Sequence, residues 1–163
     1  MKKTPLHRYT PLKARQALKA RARLRYRGVN EVSVIKEQIQ AILRQIVILR
    51  DGGCWLRHYP EAGKCGGYRK DGELILQAEH LHTRSNSVSF ADHRLVVCIC
   101  KRHHIYWKPQ YSSRYNELAE KFIGKERTKL WHRVKNDYSP HKIDWKLELL
   151  AVQQELKKLK DEI

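Results

Sequence analysis

The chain has 163 residues, 41% of them hydrophobic, and 34 Lys and Arg against 17 Asp and Glu give a formal charge of +17. That length suits one ordinary domain with tails, and the charge, far beyond what solubility needs, points to a polyanionic partner, nucleic acid first. No stretch approaches the ~18 apolar residues of a membrane span, and the charged start has no apolar segment behind it, so a soluble, cytoplasmic protein is expected.

Residues 2–27 carry ten Lys or Arg and no acid, with Pro5 and Pro11. The composition predicts a basic N-terminal arm over 1–29, extended over its first dozen positions, that tracks phosphates. In "NEVSVIKEQIQAILRQIVILR" the apolar positions Val32, Ile35, Ile39, Ile42, Leu43, Ile46 and Leu49 recur at helical spacing, which predicts an amphipathic helix over 30–50 packed on the core. "DGGC" ends it, and the Gly-rich stretch from Cys54 to Gly72, with Pro60, reads as a loop or knuckle. "ELILQAEHL" at 73–81 and "RLVVCIC" at 94–100 read as two strands separated by the turn-prone "SNSVSFADH", and "KRHHIYWK" opens a helix directly after the second. These elements form a core over 51–110.

Beyond "KPQYSS", residues 114–135 read as a helix carrying Leu118, Phe122, Leu130 and Trp131, with Gly124 as a break. A last helix is predicted with Ser139 as N-cap, Pro140 at its first position, and Trp145, Leu149, Val152, Leu156, Leu159 and Ile163 along one stripe. Within this extension, 111–163, the last helix either packs on the core or pairs with a second copy in a homodimer.

Four cysteines, three of them near histidines, favour thiol or metal chemistry over a disulfide framework in an intracellular chain. A structural zinc takes four Cys or His ligands in tetrahedral geometry. Cys54 with Cys65 supplies one pair and Cys100 with His103, a C-x2-H step, the other. His58 and Cys98 are rival ligands, and only one of Cys98 and Cys100 is expected to face the metal. "AEHLH" supplies different chemistry: Glu79 is a hard oxygen ligand suited to Mg2+ or Mn2+, and His80 is an imidazole suited to taking a proton from water. With Cys100 and His103 given to zinc, His104 is left to reach a catalytic ion beside Glu79 and His80. A nuclease needs that pairing of a base with a divalent ion. Trp107, with Tyr106 and Tyr111, lies among Lys101, Arg102, Lys108 and Arg114, where aromatics either stack on unpaired bases or pack the helix. Arg84 and Arg94 are candidates to clamp phosphate.

This order of strand, acid-His pair, loop, strand, C-x2-HH and helix resembles the HNH, or ββα-metal, nucleases. The resemblance implies that Glu79 and His104 bind the catalytic Mg2+ or Mn2+, that His80 is the base, and that His93, with Asp92 and Arg94 as alternatives, is the middle residue. The longer segment "LQAEHLHTRSNSVSFADHRLVVCICKRHH" is similar in layout to the phage NinG (Rap) recombination protein family, which carries closely spaced Cys pairs where this chain has Cys54, Cys65 and C-x2-H. That likeness implies a phage or prophage protein acting in DNA recombination on branched DNA junctions. The expectation is thus an α+β endonuclease, a small ββα-metal core with structural zinc flanked by helices. Two other readings stay open: a zinc-stabilised nucleic-acid-binding protein without catalysis, and a homing or restriction-type nuclease on linear duplex.

Overall fold

The computed structural model describes residues 30–82, 87–137 and 141–162. The basic arm, Arg84, Ser139 and Pro140 lie outside the described residues. By its contacts the chain divides into two units, Met1–Val34 and Ile35–Ile163. In the first, Asn30 caps the helix that follows, its Oδ1 accepting the Val32 N–H at 3.1 Å.

That helix, α1 (Glu31–Asp51), is followed by two short 3-10 turns at Trp55–His58 and Pro60–Ala62. Then come β1 (Leu76–His80), a one-turn α2 (Ser87–Phe90), β2 (Val96–Cys100), a π-turn (His103–Trp107), α3 (Lys108–Gln110), α4 (Ser112–Lys135) and α5 (Trp145–Asp161). The architecture is mixed α+β, mostly helical, around one two-stranded antiparallel sheet with Leu76 opposite Cys100 and His80 opposite Val96. No helix among the described residues is long and apolar enough to cross a membrane.

All five residues of β2 are buried, which is why "VVCIC" reads as a continuous apolar run rather than an alternation. Val97 and Ile99 enter a core with Trp55, Leu56 and the Tyr115, Leu118, Ala119 face of α4. Val96 and Cys98 enter a second core with Ile39, Leu43, Ile46 and Val47 of α1 and Val152 of α5. The hairpin is therefore the middle layer between helices. The outer edge of β2, where a third strand could add, is closed by side chains instead. Asp51, its side chain 3% exposed, accepts the Cys98 N–H at 2.8 Å and the Arg50 guanidinium at 2.7 Å, while Arg50 donates to the His93 and Val96 carbonyls at 2.8 and 2.7 Å. Arg127 adds bonds to the Arg94 and Val96 carbonyls, and burial lowers its guanidinium to about 10.

Gly124 adopts φ 78°, ψ 171°, and breaks α4 into two helical parts, as its position in the sequence suggested. The last helix departs from expectation. It begins at Trp145, with Asp144 as N-cap accepting the Lys146 and Leu147 N–H groups, rather than at the Ser-Pro step five residues earlier. Both strands are also shorter than expected. The chain at His93–Leu95 is a 3-10 turn capped by Asp92, and the turn-prone 87–90 segment winds into α2.

Candidate functional site

Cys54, Cys65, Cys100 and His103 converge: one ligand atom from each lies within 4.8 Å of all the others. Among the described residues this is the one group of three or more Cys, His, Asp or Glu that does so. Cys54 starts the first 3-10 turn, Cys65 sits in the loop after the second, Cys100 ends β2 and His103 opens the π-turn. The loop approaches the helix start closely at Gly67, φ 88°, where a Cβ would stand 2.7 Å from the Lys101 Cβ, so glycine is required there.

Neighbouring groups set the charge and hydrogen bonding of these four atoms. His103 is fully buried and its Nε2 donates to the Ala62 carbonyl at 3.0 Å. That bond fixes the tautomer and leaves the Nδ1 lone pair facing Cys54 Sγ at 3.3 Å and Cys65 Sγ at 4.0 Å. Cys100 is held down to about 4, first by a hydrogen bond from the Cys54 thiol and then, against its burial, by the backbone N–H groups of Gly66 and His103. Cys54, which keeps the shared proton, is pushed up. Three sulfurs and one imidazole nitrogen, one thiol already biased to thiolate, could hold a metal ion such as zinc.

His58, the rival ligand, is exposed and accepts from Arg57 Nε at 3.2 Å, outside the group. Cys98 lies in the core against α1, where burial pushes its thiol up to about 12. A strict period of two places Cys98 and Cys100 on one face. The structure separates them because Cys100 is the last strand residue, where the chain turns into helix.

The same turn presents the second cluster. Glu79, 5% exposed at the end of β1, holds His104 Nε2 on Oε2 at 2.8 Å and the Lys108 ammonium on Oε1. His104 Nδ1 lies 2.7 Å from Gln77 Oε1. The π-turn makes this possible: Pro109 has no N–H for the Ile105 carbonyl, and the Lys108 N–H closes on His103 instead, sending His103 to the thiols while His104 and Lys108 reach Glu79. A divalent ion would find two ligand atoms here, from Glu79 and His104, with the Lys108 ammonium already on the carboxylate.

His80 points to the other face of the hairpin. It is 5% exposed, packs 6.0 Å from the Phe90 ring, and lies with Nε2 3.1 Å from the Phe90 carbonyl and 3.4 Å from Gln40 Nε2. A carbonyl only accepts, so Nε2 carries the proton and Nδ1 the lone pair. His93 is not brought to Glu79 and His104: its charged neighbours are Glu155, Asp92, Arg50 and Arg94, and burial lowers its pKa. Asp92 and Arg94 pair with each other at 2.8 Å. Lys101 and Arg102 are exposed, Arg102 donating to the Lys64 carbonyl, and Trp107 is half-buried against His103, Tyr111 and Tyr115.

Beside the Glu79 cluster runs a cleft of about 340 Å3 whose lining includes Gln40, Arg44, Arg69, Gln77, Ala78 and His104. Arg44 and Arg69 bring positive charge to the rim next to His104, and neither was singled out in the sequence. Gln77 could have been, because it stands two residues before Glu79 and so shares its strand face. No family model, curated protein or solved structure matches the chain.

Proposed function

We propose that the protein is a metal-dependent DNA endonuclease of the HNH type, in which the hairpin and the helix after it form a ββα-metal core stapled by zinc on Cys54, Cys65, Cys100 and His103. The observation that carries this reading is the 2.8 Å contact between Glu79, at the end of β1, and His104, in the first helical turn after β2, one residue beyond the metal-ligating group. A bound Mg2+ or Mn2+ would supply charge stabilisation to the phosphate oxygens and the leaving group. Glu79 and His104 would hold that ion. His80, to which the resemblance gives the role of base, lies on the other face of the hairpin against Phe90 and would have to turn toward the ion to take a proton from the water whose oxygen bonds to phosphorus as the P–O bond to the leaving oxygen breaks. Arg44 and Arg69 would hold the substrate phosphate in the adjacent cleft. The likeness to the NinG segment makes branched DNA the first substrate to try.

The test incubates purified protein with a Holliday junction, a flap, single strands and linear duplex, with Mg2+, Mn2+ or no added metal, beside the His104→Ala and His80→Ala variants. Divalent-dependent cleavage by the wild type, lost in both variants, is the expected result, and the preferred substrate separates junction work from homing or restriction. Absence of cleavage on every substrate, with tight binding retained, overturns it. Two observations favour the non-catalytic alternative: Glu79 is engaged by His104 and Lys108, and His80 is 5% exposed. Under that alternative, Glu79→Gln and His80→Ala leave every nucleic-acid property of the protein intact.

A further inference from the structure

On another side of the same short helical segment is a cleft of about 280 Å3 lined by Ala62, Gly63, Arg102, Tyr106, Trp107 and Tyr111, among others. It is below the usual size of a small-molecule site, which suits one fragment of a larger ligand. Tyr106 is 69% exposed and its ring packs on no other ring among the described residues. Tyr111 is 47% exposed and meets the half-buried Trp107 ring at 5.6 Å and 39°. Trp107 is held in turn by Tyr115 and His103, so one wall of the cleft is rigid. Arg102 is fixed by its bond to the Lys64 carbonyl, which presents a planar cation beside the rings. Glu61, the acid in the lining, is paired with Arg114 at 2.7 Å, so it leaves no unbalanced negative charge there.

Two accessible aromatic faces, an immobilised guanidinium and a rigid indole wall, on a chain with a net charge of +17, are the components of a base-stacking platform. We infer that this cleft receives an unpaired nucleobase of single-stranded nucleic acid, stacked against Tyr106 and Tyr111 with Arg102 beside it. The site is separate from Glu79 and His104, so it serves a cleaving protein and a purely binding one equally.

The test is fluorescence anisotropy without added divalent metal, using an oligothymidylate, an abasic oligomer of the same length, and a duplex. The wild type should bind the oligothymidylate more tightly than the abasic strand. Tyr106→Ala should weaken oligothymidylate binding about five- to a hundredfold, leave duplex binding unchanged and keep the same salt slope, since stacking and not a phosphate contact is lost. Tyr106→Phe, which keeps the ring, should bind as wild type. Equal wild-type affinity for abasic and base-bearing strands, or a Tyr106→Ala protein that matches wild type or loses duplex and single-strand affinity alike, overturns the inference. Because cleavage is not read, failure here leaves the nuclease reading standing, and failure of cleavage leaves this site standing.

Discussion

Lys108 places its ammonium on the carboxylate that His104 also holds, and burial lowers its pKa from the ordinary lysine value. One buried acid thus serves two cationic or hydrogen-bonding partners, and a divalent ion bound there, as proposed, would have to displace or share with the lysine. Lys108→Met should therefore tighten Mn2+ binding roughly tenfold, about 1.4 kcal/mol, read by electron paramagnetic resonance rather than by cleavage. Unchanged Mn2+ affinity would mean that Lys108 does not compete for the site. His93 gives a pH prediction with a definite sign. Its folded-state pKa is depressed, chiefly by burial, so its contribution to stability is fully present above the unfolded value of about 6.5 and is lost as pH falls. Thermal unfolding followed from pH 7 to pH 5 should show Tm falling, with a smaller fall in His93→Gln. Neither lysine nor imidazole announced these environments in sequence, because a one-dimensional pattern gives charge and spacing but not which buried acid a flexible side chain reaches.

At the level of elements, α1 was legible because one-sided burial imposes a helical period, and β2 because burial on both faces leaves a short unbroken apolar run. The Ile35, Ile39, Leu43, Ile46 stripe of α1 is the buried stripe, and β2 is buried on both faces. Three of the four residues of the Cys-His group stand at element boundaries, which Gly, Cys and His clusters mark well. What was not legible depended on competition between signals. Ser139-Pro140 is a strong start signal, yet Asp144 caps α5, as its side chain reaches two N–H groups of the first turn. The closure of the β2 edge by Arg50, Asp51 and Arg127 was invisible too, because charged residues on a helix read as solvated. Asp51→Ala should cost about 2–4 kcal/mol in urea unfolding, since it strands the Cys98 N–H and Arg50 together. A loss under 1 kcal/mol would show that the edge needs no clasp. Leu43→Ala, fully buried against the hairpin, should cost about 2–5 kcal/mol by the same measurement.

At the level of the whole molecule, the net charge and the Cys-His group that could hold a metal ion are the features that reach furthest. Ten of the net seventeen positive charges lie in residues 1–29, which contain no acid. Deleting that arm should flatten the dependence of log K on log salt for DNA binding, as fewer counterions are released, and an unchanged slope would mean that the arm does not touch phosphates. Cys65→Ser should lower bound zinc below one per chain and reduce Tm by roughly 6–12 °C, the equivalent of ~3 kcal/mol, measured by metal analysis and circular dichroism. The Cys-His group also has a topological meaning. Two of its members precede the hairpin, one ends its second strand and one follows it, so an ion held there would be a crosslink that closes the loop from Cys54 to Cys100. By loop-closure arithmetic such a staple removes roughly 4 kcal/mol of unfolded-chain entropy. During synthesis the staple cannot close until His103 has been made, and the next residue added is His104. The last member of the group and the acid's imidazole partner are thus adjacent residues, so an ion that stapled His103 would also anchor the turn from which His104 reaches Glu79.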